Sequence, residues 1–243
     1  MSPVIQVKQV YYPESDGKPL GETDVHRQEM VRHIELLEDY YQGQKVYVSG
    51  DLLVYYVQGN PRKYVVPDAF VVKGIPPQER RVYKIWVEGK APDVVIETTS
   101  RKTRRRDLTE KPVLYARLGV KEYFLFDPLG EYLDPPLQGY RLAGDDYEPI
   151  QPDDDGLLDS RELELRLRIG EGHLEFLRWD TGERLLTRAE RVEREAEARQ
   201  REAERADREA QARQREMEVR LAAEAEVARL RVELARRGPV AEG

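Results

Sequence analysis

Two short stretches of this chain, Val94-Val95-Ile96 and Tyr123-Phe124-Leu125-Phe126, are apolar or aromatic at every position. A strand with one wet face alternates, whereas an unbroken apolar run this short suits a strand covered on both faces. Between them, about Thr109 to Leu118 reads as a helix closed by Gly119. Upstream, Thr23 or Asp24 caps a helix running to about Gln42, with Met30, Ile34, Leu37 and Tyr41 on one face and Gly43 as its stop. Helix, strands, helix, strand predicts an α/β or α+β layer around a mixed sheet.

Further strand-like runs are Lys45 to Val48, Leu52 to Val57, Tyr64 to Val72 and Val82 to Val87. Gly59-Asn60-Pro61 and Gly74-Ile75-Pro76-Pro77 punctuate them. Residues 140 to 180 read as an added β-meander, with Leu163-Glu164-Leu165-Arg166-Leu167 alternating and Asp180-Thr181-Gly182 as the turn out of it.

Composition changes abruptly near Leu186, beyond which the chain is nearly all Glu, Arg, Ala and Gln. Arg184 to Arg237 contains no Pro or Gly and reads as one long polar helix, supported by i,i+4 pairs such as Glu190–Arg194 and Glu197–Arg201. Its heptad seam is mostly alanine with intruding arginines until Met217, after which Val227, Leu230 and Leu234 make a better one. A dimerising coil and a solvated single helix both remain open. The expected division is a globular domain over 1–183, a charged helix over 184–237 and a disordered tail over 238–243.

The chain has no cysteine, so it holds neither a disulfide frame nor a thiolate zinc site. No apolar stretch approaches the roughly 20 residues of a membrane span, and Met1 to Val7 lacks the blocks of a signal peptide. A soluble, cytoplasmic protein is expected. A net charge of −7 argues against a general nucleic-acid coat but leaves room for a local basic patch.

Such a patch occurs beside the most suggestive acidic residues. One strand-like run reaches Pro67-Asp68 and another ends at Glu97, followed by Arg101-Lys102-Thr103-Arg104-Arg105-Arg106 and then Lys111. Magnesium wants oxygen ligands and is often held by one or two carboxylates plus a substrate phosphate. Asp68 and Glu97 suit that role if adjacent strands bring them together, with the Lys111 ammonium steadying charge or orienting a water. These are the parts of a metal-dependent phosphodiesterase site. Lys111 shares a helix face with Leu108, Tyr115 and Leu118, where a lysine is unexpected unless its head reaches a polar site or snorkels out. Each residue also has an ordinary alternative: Asp68 as a turn residue, Glu97 as a strand-end carboxylate. Asp93 precedes the same strand but lies near its opposite end and is expected to be structural. The basic run could contact DNA phosphates or be a solvated loop. His26 and His33, seven residues apart on the first helix, are expected to face solvent, although His26 could cap the helix or approach the site.

The stretches Tyr64 to Val72, Ala91 to Glu97 and Thr103 to Tyr123, running into Phe126-Asp127-Pro128, resemble the Uma-two family of putative restriction endonucleases. Asp180 to Thr187 and the Glu/Arg/Ala tail are also similar to it. This family belongs to the PD-(D/E)XK nuclease superfamily, so the resemblance implies a restriction endonuclease-like αβββαβ core. Asp68 then matches the PD aspartate and Glu97 the second acidic residue. The superfamily lysine would fall at Thr99, where this chain has none; Lys111 on the following helix stands in for it. Pro112 departs from the family pattern, and its tolerance in a first helical turn places the helix start near Thr109.

Together these features lead to the expectation of a Mg²⁺-dependent DNA endonuclease, with Mn²⁺ as a substitute ion and a homodimer through the C-terminal helix. Two rivals stand beside it. One is a nuclease scaffold without turnover that acts as a binding module through its helical tail. The other, a glycoside hydrolase with paired carboxylates, lacks any sign of a carbohydrate groove.

Overall fold

The computed structural model describes residues 10–17 and 23–237, so the expected tail 238–243 and the extreme N-terminus lie outside the described residues. The chain divides into compact units at Thr187, Met1–Thr187 and Arg188–Gly243. In order, the first unit contains α1 (Asp24–Tyr40), β1 (Val46–Ser49), β2 (Val54–Tyr55), β3 (Tyr64–Val65), β4 (Ala69–Lys73), β5 (Tyr83–Lys84) and α2 (Ile85–Glu88). It continues with β6 (Val94–Thr98), α3 (Arg104–Leu118), β7 (Glu122–Phe126), β8 (Leu137–Ala143), β9 (Asp146–Pro149), β10 (Leu158–Ser160), β11 (Leu165–Gly170) and β12 (His173–Arg178).

Six strands form the central sheet in the order β1-β4-β6-β7-β8-β9. All neighbours are antiparallel except β6 and β7, and α3 supplies the crossover that a parallel pair requires. The elements α1, β1, β4, β6, α3 and β7 compose a restriction endonuclease-like αβββαβ core with a mixed sheet. The two apolar runs become β6 and β7, buried along their whole lengths. The expected meander divides: β8 and β9 extend the central sheet, while β10, β11 and β12 form a separate one.

Alternation along β6 sends its side chains to two different cores. Val94 and Ile96 pack with Leu36 and Leu37 of α1 and with Leu165, Leu167 and Phe176 of the β10–β12 sheet. Val95 faces Tyr115 of α3, together with Val54, Val65 and Tyr83 of a small β3-β2-β5 sheet.

Three local expectations change. The strand predicted over Tyr64 to Val72 breaks at Pro67-Asp68, because proline has no N–H to continue a ladder; β3 joins the small sheet and β4 the large one. Val82 to Val87 is a two-residue strand followed by one helical turn closed by Gly89. The helix placed at Thr109 begins at Arg104 instead, so Pro112 lies inside it rather than in its first turn. Ser100 and Thr103 determine that start. Their hydroxyls and amides bond reciprocally at 3.1 and 3.3 Å, and Arg104 N donates to Ser100 O at 2.9 Å. Having no N–H, Pro112 cannot donate to the carbonyl of Leu108 one turn back, a residue on the exposed side of the helix.

The second unit is α4 (Arg188–Arg237), a polar helix laced with i,i+4 pairs such as Arg201–Glu197 and Arg220–Glu224. Val227 and Leu230 of the better heptad seam are exposed on it.

Candidate active site

The register of the central sheet creates the site. Ala69 pairs with Ile96, so the residue before β4, Asp68, stands opposite Glu97. Asp68 N donates to Glu97 Oε2 at 3.3 Å, and Thr98 N donates to Asp68 Oδ2 at 2.7 Å. Gly50 packs directly on the Asp68 backbone, where a Cβ would lie 1.9 Å from the Asp68 carbonyl oxygen.

From one face of the sheet comes Lys111. Its Nζ lies 2.8 Å from Glu97 Oε2 and 2.9 Å from Asp107 Oδ1, with the lysine itself buried. Tyr115, one turn along α3, donates to Glu97 Oε1 at 2.7 Å. From the opposite face comes His26, whose Nε2 lies 3.1 Å from Asp68 Oδ2. The Asp68 carboxylate therefore joins the two layers at one end of the interior strands β4 and β6.

The structure thus brings Asp68, Glu97 and Lys111 into one cluster and adds Asp107 and Tyr115, which the sequence left out of it, and His26, for which solvent was the expected place. His26 and His33 are buried, not exposed. The Asp68 carboxylate meets the first, and Glu29 lies 3.5 Å from His33 Nε2, so both imidazoles have carboxylate neighbours that make their burial affordable. Glu29 also bonds His173 of β12; burial raises its pKa, but bonding to the two histidines outweighs that and holds it below the usual range. Asp93 behaves as the structural residue expected, ion-paired to Lys90 at 2.7 Å and to Lys121 at 3.0 Å. Thr99 is buried, and the ammonium beside Glu97 is that of Lys111.

Three carboxylates around one ammonium cannot all ionise cheaply. Burial pushes Glu97 up to about 8 against the pull of Lys111, and the charges of Asp68 and Asp107 add to the rise. Burial likewise raises Asp107 despite Lys111. Asp68 goes the other way: burial raises it, but the His26 hydrogen bond, the Lys111 charge and the Thr98 amide outweigh that and hold it low. For Lys111, burial alone favours the neutral amine; the three surrounding carboxylates reverse this and keep it charged.

Glu97 is fully enclosed, whereas the Asp68 side chain is 16% exposed. No described residue hydrogen-bonds to Asp68 Oδ1, so this oxygen is the opening of the cluster. The side chains of Arg101, Lys102, Arg104, Arg105 and Arg106, on the turn and first helical turn that follow β6, are exposed.

The model of the Uma2 family, described as "Putative restriction endonuclease", matches residues 16–170, well over half of the 243-residue chain. The chain belongs to this family. The matched region of this Uma2 protein contains every residue of the cluster and the whole basic turn. It stops short of the Asp180–Thr187 segment and of α4. Among solved structures, the Uma2 chain is similar to one described as a putative nuclease belonging to DUF820 from Anabaena variabilis ATCC 29413. Identity is 19% and the TM-score 0.44, over 60% of this chain and 76% of that one. No curated protein matches the sequence. Among the described residues, no helix is long and apolar enough to cross a membrane.

Proposed function

We propose that this protein is a Mg²⁺-dependent DNA endonuclease whose site is Asp68, Glu97 and Lys111. The observation that carries the proposal is the convergence of an accessible carboxylate, a buried carboxylate and a buried ammonium from three separate elements at one end of the central strands.

The donor set fits a hard divalent ion. Among the described residues no three His, Asp or Glu side chains make a ready-built cage; magnesium does not need one, since one or two carboxylates, waters and a phosphate complete its octahedron. Asp68 Oδ1 and Glu97 would hold the ion, with Mn²⁺ as a substitute. When bound, the ion polarises the scissile phosphate and acidifies a water. His26 fixes the Asp68 carboxylate by its second oxygen, leaving the first free. Lys111 supplies positive charge where phosphate charge builds up. The basic turn contacts the DNA backbone on either side.

The proposal is tested by incubating the purified protein with supercoiled plasmid and Mg²⁺ beside Asp68 variants. Metal uptake without nicking would favour the rival scaffold, a possibility suggested by how tightly Glu97 and Asp107 hold Lys111. Pairing of two copies through the exposed Val227–Leu230 seam of α4 is the corresponding proposal for assembly.

Two further outcomes are expected. His26→Ala should weaken Mn²⁺ binding, read by calorimetric titration, by roughly 10- to 100-fold, the usual effect of losing a ligand-orienting partner; His26→Gln, which keeps a donor at the same reach, should recover part of it. Unchanged affinity in His26→Ala would remove the histidine from the site. Arg104→Ala with Arg105→Ala should weaken DNA binding uniformly across sequences and lower the slope of log K against log salt by about one to two for duplex. An unaltered slope would show that these side chains touch no phosphate.

A further inference from the structure

Because β6 and β7 are parallel, with Glu97 beside Leu125 and Thr98 beside Phe126, the chain leaving β7 emerges at the same sheet end as the candidate site. There the buried Asp127 carboxylate accepts from the amides of Leu129 at 3.2 Å, Leu133 at 3.0 Å and Tyr132. One side chain thus fixes the shape of the whole loop, and Leu133 is anchored in the core beneath it.

This loop presents an apolar, an aromatic and an acidic side chain outward: Leu129, Tyr132 and Glu131. Leu129 is 53% exposed. Tyr132 is half-buried, and the Arg104 guanidinium stands over its ring, 5.7 Å from the centroid. Arg104 belongs to the basic run at the start of α3, so the loop and that run share a surface. Glu131, the neighbour of Tyr132 in the chain, is exposed. A carboxylate there repels phosphate, so the loop is a poor phosphate grip within an otherwise basic rim. An aromatic face backed by an arginine is suited to a flat, uncharged partner, and every nucleobase has such a face.

We propose that the Asp127–Leu133 loop is a nucleobase-contacting element, in which Tyr132, backed by Arg104, stacks on a base of the DNA whose phosphates the Arg101–Arg106 run holds, with Leu129 packing alongside. The proposal rests on the nucleic-acid function assigned to that basic run, but it requires no cleavage. Stacking and phosphate contact are separable by salt: counterion release accompanies only the second.

The full chain is titrated, in EDTA to prevent turnover, into short fluorescein-labelled single- and double-stranded DNA at several salt concentrations, with anisotropy as the readout. Tyr132→Ala should weaken binding by about tenfold with the salt slope unchanged, and Tyr132→Phe should stay near the parent protein because the ring is kept. Arg105→Ala should show the opposite signature, a slope lowered by about one. Melting curves of the variants check that the loop substitutions leave the core intact. Parent-like affinity in Tyr132→Ala, or a loss that appears only as a changed slope, overturns the stacking role. If the parent protein binds neither DNA form, the DNA reading of the basic run fails and takes the stacking role with it.

Discussion

Replacing Asp68 with asparagine or alanine is expected to lower Mg²⁺-dependent plasmid nicking by at least about a thousandfold. The magnitude follows from the several kcal/mol that metal stabilisation of transition-state charge contributes, at 1.36 kcal/mol per factor of ten. Asp68 is the cluster's accessible carboxylate, held low in pKa and therefore ionised when an ion arrives. Alanine also leaves His26 Nε2 and the Thr98 amide without their acceptor, a loss of about 1–3 kcal/mol for each buried donor. Asparagine is the cleaner variant, because its carbonyl still accepts from Thr98 while the charge is gone. Nicking rates over a Mg²⁺ series, with melting curves as the folding control, decide the matter. Asparagine and parent proteins cutting equally would exclude Asp68 as the ligand.

Lys111→Met is expected to have the largest effect on stability. The substitution leaves Glu97 and Asp107 facing each other in a buried site without a counter-charge, and breaking such a pair from one side costs about 3–5 kcal/mol. The loss should depend on pH with a definite sign. A carboxyl whose folded pKa is raised binds its proton more tightly folded than unfolded, so stability falls as pH rises between the two values. For Glu97 in the parent protein that window runs from its ordinary value of 4.5 to about 8, and the raised Asp107 acts in the same direction. Asp68, shifted downward from 3.8, contributes only below it. Without the ammonium that opposes the rise, the window should extend further upward. Denaturant unfolding should therefore find Lys111→Met close to the parent near pH 5 and far weaker near pH 8, and adding Glu97→Gln should restore much of the difference. A deficit of the same size at both pH values would rule out uncompensated carboxylates as its cause.

Lys111 shows how much of the site was legible beforehand. A lysine on a packed helix face was a visible anomaly, and Tyr115 four residues on was correctly placed with it. Leu108 was expected on the same face but is 42% exposed, whereas Asp107 is buried. Residues 107, 111 and 115 recur at the four-residue spacing that keeps side chains in one stripe. The available signal was an acid four residues before the lysine, which polarity rules assign to solvent. The same rules misplaced His26 and His33. His26 and His33 were expected at the surface, yet they and Glu29 fall at helical spacing with the buried Leu36 and Leu37. A partner 42 residues away, Asp68, helps explain the first of these burials.

Local chemistry was enough to determine the layers of this protein. Unbroken apolar runs demanded strands covered on both faces, glycines and prolines marked where the chain turned, and the polar composition past Leu186 marked a separate long helix. The composition of the site was also visible, as two strand-end carboxylates, a basic run and a misplaced lysine. Which groups share that site was decided by the tertiary structure alone. The β4–β6 register places Asp68 opposite Glu97, and packing of α1 and α3 on opposite faces delivers His26 to one carboxylate and Lys111 to the other. Register and layer packing are contacts between distant residues, and they arise only when the whole sheet closes its two cores at once.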